Sequence, residues 1–338
     1  MANRPRYTHA QLEQYFDRIC LPEDRRHYSV APLTHDDQLR YLAALVKHQL
    51  VKVPFENLTQ HYSWHRVVDV KPQHLFKKIV AAGPGHGRGR GGYCMEANTL
   101  FHTVLLSLGF HVFMAGARVH GAGANRYGGF SHCVNIVGVA GRRYVLDVGF
   151  GANGPAGPLP LEEGREHAHA GPAARVRLVR EAIPQQVDQG FKVWIYQLRI
   201  GPDAAWTPMY CFVDFEFLLE DIRCMNLSPW KSETSFFARK VLVTRFTTNR
   251  EADGGPGPGS PGEESIKEGR IDGAIILWEN SLKWRRDGET KLEIKLENEN
   301  QRIDALRRYF GIELDEEDRE AIKGTVSEIV GDRGSVVG

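Results

Sequence analysis

The chain has 338 residues, 42% of them hydrophobic and 25% charged, with 43 Lys+Arg against 42 Asp+Glu and a formal net charge of +1. That composition is ordinary for a globular protein and supplies no general electrostatic pull toward nucleic acid or anionic lipid. No apolar stretch is long enough to span a bilayer, the start Met1-Ala2-Asn3-Arg4 has no apolar signal core, and five scattered cysteines fit a reducing, cytoplasmic setting.

Three zones follow in chain order. Residues 1 to about 110 read as a helical bundle, with helices over Gln11 to Ile19, Asp36 to Lys47 and Pro72 to Ala82. The last helix of this zone follows Cys94, where Ala97, Leu100, Phe101, Val104, Leu105 and Leu108 recur at three- and four-residue intervals and Gly109 gives a stop signal. Residues 111–215 alternate apolar and polar side chains, as in Phe191 to Arg199, and predict a small antiparallel sheet or barrel. Residues 216–338 mix a helix near Phe215 to Met225, strands near Lys240 to Phe246 and Ala274 to Trp278, and a helix over Gln301 to Phe310. The Gly/Pro-rich run that begins at Glu251 has a composition that cannot bury a core, which predicts a flexible insertion at about 251–270. The tail from Val330 to Gly338 reads as frayed.

Cys94 is the residue on which chemistry centres. It sits at or just before the first turn of a buried helix, where unpaired N–H groups and the helix dipole favour a thiolate. Gly91 and Gly92 ahead of it permit a close approach that a β-carbon would block. A thiol nucleophile needs a base. Residues 131–150 hold two β-rich runs around a Gly-Val-Ala-Gly break, a hairpin with a loop somewhat longer than the tightest turns. With Val139 and Ala140 central, His132 falls opposite Asp147 and Val134 opposite Val145, which lets Asp147 accept one imidazole N–H while the other ring nitrogen takes a proton from a thiol.

Val53-Pro54-Phe55-Glu56-Asn57-Leu58, Arg90-Gly91-Gly92-Tyr93-Cys94-Met95-Glu96-Ala97-Asn98, Ser131-His132 and Asp147-Val148-Gly149-Phe150-Gly151 occur in that order. Together they resemble the arylamine N-acetyltransferases, over residues 30 to 250 at least. The resemblance implies an α+β fold of three lobes: an N-terminal helical bundle, a central antiparallel β-barrel and a C-terminal α/β lid. It also implies an acyl-CoA-dependent transferase with a Cys94-His132-Asp147 triad and no metal. The thiolate would take an acyl group (acetyl, propionyl or malonyl) and pass it to an arylamine, arylhydrazine or arylhydroxylamine in a ping-pong cycle. By the same resemblance Glu56 pairs with Arg90 in support of the site, and Phe55 and Phe150 line the aryl pocket. Gly128 and Gly129 approach CoA where some members carry a hydroxyl residue, and Thr234 and Ser235 fall in a segment that contacts the cofactor. No cation in the sequence can be assigned to a malonyl carboxylate. The longer, eukaryotic-microbial members carry insertions like the one at 251–270.

Two other readings compete. A papain- or transglutaminase-like hydrolase or amide-exchanging enzyme uses the same Cys, His, Asp order without CoA. A catalytically dead module would keep the fold and hold CoA or an aromatic ligand. Other signals point elsewhere. The run Gly83 to Gly92 lacks the Gly-Lys-Ser/Thr ending and the preceding strand of a phosphate-binding loop, and reads as a flexible approach to Cys94. Cys20, Cys133, Cys211 and Cys224 show no zinc spacing and read as reduced structural thiols. His102 is more than two turns from Cys94, and His167 and His169 read as solvated loop residues.

Overall fold

The computed structural model describes residues 4–81, 88–121, 123, 125–251 and 262–331. Its architecture follows the expected order of helical N-terminal region, near-closed antiparallel β-barrel and C-terminal α/β region. Helix α1 spans His9–Arg18, and Thr8 caps it by accepting from the Gln11 N–H while the Gln11 side chain accepts from the Thr8 N–H. Helix α2 spans His35–Lys52, and α3 spans Cys94–Leu108, ended by Gly109 at φ 92°. Their apolar stripes, among them Phe16, Leu45, Leu100, Phe101 and Leu105, share one buried core. The helix expected over Pro72 to Ala82 is one α turn, Pro72–Leu75, that widens into a π turn, Phe76–Val80. Lys78, inside that turn, is buried.

Strand β1 is the pair Phe55–Glu56. The barrel comprises β2 (His111–Gly121), β3 (Arg126–Val139), β4 (Arg142–Leu146), β5 (Leu159–Pro160), β6 (His167–His169), β7 (Gly171–Glu181), β8 (Val193–Ile200) and β9 (Thr207–Phe212). These are ordered β5-β4-β3-β2-β9-β8-β7-β6. Its interior is filled by Val134, Ile136, Val176, Leu198, Tyr196 and Phe212, all buried.

The β3–β4 hairpin differs from the expected register by two residues. Val139 pairs with Arg142 and Ile136 with Val145, so the turn is the two-residue Ala140–Gly141, with φ 53° and 71°. Both values are positive, as a tight turn matched to strand twist requires. An alanine accepts that conformation at some cost, so its sequence did not mark the turn. A shift of two preserves the face of every side chain, whereas a shift of one would have reversed it. Asp147 lies just past the end of β4 and meets His132 diagonally.

A second sheet, β1-β10-β11-β12-β13, is built from β10 (Leu242–Thr248), β11 (Ile271–Trp278), β12 (Ser281–Arg286) and β13 (Glu289–Lys295). Helix α4 (Leu219–Lys231) packs toward β3 and the side chains around Cys94, and α5 (Glu299–Phe310) packs Leu306 and Phe310 on the second sheet. Strand β1 comes from the N-terminal region, yet pairs Phe55 with Thr244 and Glu56 with Val243. The Val-Pro-Phe-Glu-Asn-Leu segment therefore stitches the first region to the third. Within the expected insertion, residues 252–261 lie outside the described residues, and Glu263–Glu268 is a short helix that packs Ile266 into the N-terminal core. Residues 82–87 of the glycine-rich run and 332–338 of the tail also lie outside them. Among the described residues no helix is long and apolar enough to cross a membrane.

Candidate active site

Cys94 opens α3 as its first helical residue, with Tyr93 at the cap position. Two loops press on that helix end. Gly91 lies so close to the Pro54 carbonyl oxygen that an added β-carbon would stand 1.8 Å from it. A β-carbon on Gly149 would stand 2.7 Å from the Cys94 Cα and 2.9 Å from the Asn98 Nδ2. Only glycine lets the loop after β4 seat against the start of α3 at this distance. The Cys94 Sγ is buried, 3.6 Å from the Ser131 carbonyl oxygen, and so lies beside His132 on β3.

His132 and Asp147 are both buried, and His132 Nε2 is 2.7 Å from Asp147 Oδ2. That bond leaves Nδ1 for the thiol side of the ring. The other carboxylate oxygen of Asp147 accepts from the Asn98 Nδ2 at 2.9 Å and the Gly149 N–H at 2.9 Å. Asn98 in turn donates to the Cys133 carbonyl at 2.8 Å and accepts from the Val148 N–H at 3.0 Å. Lying four residues after Cys94 on the same face of α3, Asn98 fixes the aspartate relative to the helix that carries the thiol. The aromatic rings of Phe150 and Tyr210 flank the imidazole, at 5.1 and 5.0 Å between centroids.

The charges follow from these contacts. Burial opposes a charge on His132, but attraction to Asp147, the hydrogen bond to it and a hydrogen bond with the Cys94 side chain outweigh that cost and push the imidazole up to about 10. Burial likewise opposes charge on Asp147, yet His132, Asn98 and the Gly149 N–H hold its carboxyl below the usual range. The neighbouring Cys133 behaves differently. Burial, with the nearby Cys94 and Asp147, pushes its thiol well above the ordinary value. It sits across the sheet from the His132 ring, as alternation on a strand requires.

Beneath the thiol lies a second buried cluster of charge. Glu56, with no exposed surface, accepts from Arg90 Nε at 3.0 Å and from the Gly91 N–H at 3.2 Å, and Arg90 is 3% exposed. Arg90 also donates to the Thr59 hydroxyl at 3.0 Å. Lys78 Nζ lies 2.7 Å from Glu96 Oε1 and 3.6 Å from Glu56 Oε1. Glu96 reaches back to the Tyr93 N–H at 3.2 Å, so the cluster ends at the turn that presents Cys94. Burial works against the Glu56 charge, but Arg90 and Lys78 outweigh it and bring the carboxyl down to about 2. For Glu96, burial together with Glu56 wins over Lys78 and the carboxyl is raised.

The remaining expected residues are placed unequally. Phe55 packs against the cluster of side chains that includes Cys94, Met95 and Tyr93, together with Phe130, Phe217 and Phe237. Phe150 packs with the barrel interior beside His132. Gly128 and Gly129 lie on exposed backbone of β3, three and two residues before Ser131. Thr234 is exposed and its hydroxyl lies 2.9 Å from that of Ser232, while Ser235 donates to the Pro229 carbonyl at 3.0 Å. Their segment leads into Phe237, whose ring meets Tyr93 at 5.4 Å and Phe55 at 6.1 Å. All five cysteines are free, Cys224 exposed. His102 bonds Asn135 at 2.9 Å, away from the thiol. His169, expected in solvent, is buried on β6 with Nε2 3.4 Å from the Ala152 carbonyl, because the barrel edge packs against the second sheet there. Among the described residues no group of three or more His, Cys, Asp or Glu is placed to hold a metal ion.

Residues 38–252 match the N-acetyltransferase family Acetyltransf_2, well over half of the chain. The chain belongs to the arylamine N-acetyltransferase family. It is an N-acyltransferase, which sets aside the amide hydrolase reading. It is 31% identical over 343 residues to N-malonyltransferase FDB2 of Fusarium pseudograminearum, covering 95% of this chain and 93% of that protein. The arylamine N-acetyltransferase of Salmonella typhimurium superposes with a TM-score of 0.71 at 22% identity, over 94% of this chain and 98% of that one. The arylamine N-acetyltransferase of Mycobacterium marinum, solved in complex with CoA, gives a TM-score of 0.67 at 25% identity, over 92% and 98% of the two chains.

Several residues of this N-acyltransferase site carried a signal in the sequence that went unused. Asn98 stands one helical turn after Cys94. Lys78 is the second of two adjacent lysines flanked by Phe76 and by Ile79-Val80, on the buried side of that segment's period, and Glu96 follows Cys94 by two. The rings of Phe130, Phe217 and Phe237 had no such signal, because they reach the thiol from three separate elements.

Proposed function

We propose that this chain carries an acyl group from acyl-CoA to an arylamine, arylhydrazine or arylhydroxylamine through an acyl-Cys94 intermediate, with acetyl-, propionyl- or malonyl-CoA as donor. The observation that carries this reading is the 2.7 Å His132–Asp147 bond beside a thiol that opens a helix. An imidazole raised to about 10 is an imidazolium near neutrality, which favours a thiolate as its partner. The thiolate attacks the thioester carbonyl, and the carbon–sulfur bond to CoA breaks. His132 gives its proton to the departing CoA sulfur. The amine then attacks the acyl-cysteine, His132 takes the amine proton, and Cys94 leaves as the thiolate. Asp147 holds the ring orientation and charge, and Asn98 holds Asp147. Backbone N–H groups around Cys94 stabilise the oxyanion in both halves. Glu56 and Arg90 support the site from below, Phe55 and Phe150 contribute aryl surface, and Gly128, Gly129, Thr234 and Ser235 border the CoA path.

A weakly basic aromatic amine is neutral near pH 7 and attacks without first losing a proton, and it meets His132 after the imidazole has given its proton to CoA and can accept another. The test is release of free CoA from acetyl-, propionyl- and malonyl-CoA, with and without an anisidine. Amine-dependent release that vanishes in Cys94→Ser is the expected result, and the preferred thioester names the donor. Absence of release from all three would overturn the reading.

A further inference from the structure

Arg118, on β2, is the cross-strand partner of Phe130 on β3. Its guanidinium carbon lies 3.9 Å from the centroid of the Phe130 ring, and Nη1 donates to the Gly128 carbonyl at 3.2 Å. Stacking and that one hydrogen bond fix the group in place. Among the described residues no carboxylate pairs with it, and it is the sole charged side chain lining a cavity of about 260 Å³ bounded also by Gly128, Phe130, Gln185, Gln186 and Phe191. A half-buried, oriented guanidinium with free donors and no anion of its own is a poor structural element and a good receptor for a planar anion. The cavity shares the Phe130 ring with the cluster that holds the thiol. Phe130 immediately precedes Ser131, whose carbonyl lies 3.6 Å from Cys94 Sγ, and the ring packs against the cluster holding Cys94. Gly128 stands three residues before Ser131, about 10 Å along an extended strand.

We propose that Arg118 binds an anionic group of the acyl-CoA donor, a carboxylate or phosphate oxygen, at the entrance to Cys94. The proposal rests on the reading that Cys94 accepts its acyl group from acyl-CoA. Two parts of a donor carry such oxygens: the free carboxylate of a malonyl group, and the phosphates of CoA. The first would make Arg118 a selector for a dicarboxylic acyl chain. The second would make it an anchor common to every donor.

The experiment compares kcat/KM of the wild-type chain, Arg118→Met and Arg118→Lys for malonyl- and acetyl-CoA, and for malonyl- and acetyl-pantetheine, which lack phosphate. If Arg118 holds the malonyl carboxylate, Arg118→Met lowers the malonyl-to-acetyl ratio by about 10- to 100-fold with both carriers, and Lys restores part of it. If it holds a CoA phosphate, both CoA thioesters lose by a similar factor and both pantetheine thioesters are unaffected. Either pattern supports the anion site. Unchanged kcat/KM for all four donors, with wild-type alkylation of Cys94 showing an intact thiol, overturns it. A wild-type chain that releases CoA from no thioester at all would instead overturn the transferase reading itself.

Discussion

Two buried clusters of charge meet the first turn of α3, one through Glu96 and one through Asn98, and they serve opposite ends. The Cys94-His132-Asp147-Asn98 cluster spans α3 and the barrel and keeps one ring nitrogen of His132 for the thiol. The Glu56-Arg90-Lys78-Glu96 cluster ties β1, the π turn and the glycine loop to the start of α3, and its carboxylates are taken up by cations and backbone N–H groups. Both are buried, both contain carboxylates, and burial opposes the charge on Glu56, Glu96 and Asp147. The difference is closure. A closed set of ions holds a backbone in place, whereas a set left open at one atom can exchange a proton with a substrate.

The largest effect on this comparison is expected from Cys94→Ser, which removes all acyl transfer while thermal unfolding stays near the wild-type temperature. Retained turnover would show that the open cluster is not the reactive one. Next in size is Asp147→Asn, which offers an N–H donor where His132 needs an acceptor, and should lower kcat/KM by about 10³-fold or more with the fold intact. Near-normal rates in that variant would mean that the imidazole is oriented by another group.

Glu56→Gln probes the closed cluster and should reverse the pattern. It leaves Arg90 without its hydrogen-bonded counter-charge and Lys78 with Glu96 alone, at a cost of about 3–5 kcal/mol, read as a fall in Tm of roughly 4–7 °C. In the fraction that stays folded, iodoacetamide should label Cys94 at the wild-type rate, in a Cys224→Ser background that removes the exposed thiol. A stable variant with slow labelling would make Glu56 part of the reactive cluster.

The smallest and most graded test is pH. Glu56, lowered to about 2 from an ordinary value near 4.5, contributes stability that is present above about 4.5 and lost as pH falls toward 2. His132, raised to about 10 from about 6.5, contributes stability that is full below about 6.5 and lost as pH rises through about 10. The acid limb of the stability profile should therefore flatten in Glu56→Gln and the alkaline limb in His132→Gln. The opposite assignment of limbs would contradict the separation of the two clusters.

Much of this was legible in the chain because it is local. The period of residues 97–108 fixed α3 and placed Cys94 at its start, and two β-rich runs around a break gave the hairpin. The hairpin register was misjudged by two because Ala140, at φ 53°, does not advertise a tight turn. Strand β1 was missed because two residues carry no periodicity, and its pairing with β10 spans nearly 190 positions. The hairpin of β12 and β13 did carry a signal in Asp287–Gly288, both at positive φ. The approach of Cys94 to His132 is a property of the packed barrel and helix, for which only the family resemblance offered a guide.

The most direct test is the mass of the Cys94 peptide after the protein is mixed with acyl-CoA in the absence of amine. One acyl group on Cys94, lost again when an arylamine is added and absent from Cys133 and Cys224, is the predicted result. Amine-dependent CoA release with no acyl group ever found on Cys94 would contradict it, and would mean that the acyl group passes to the amine without touching the thiol.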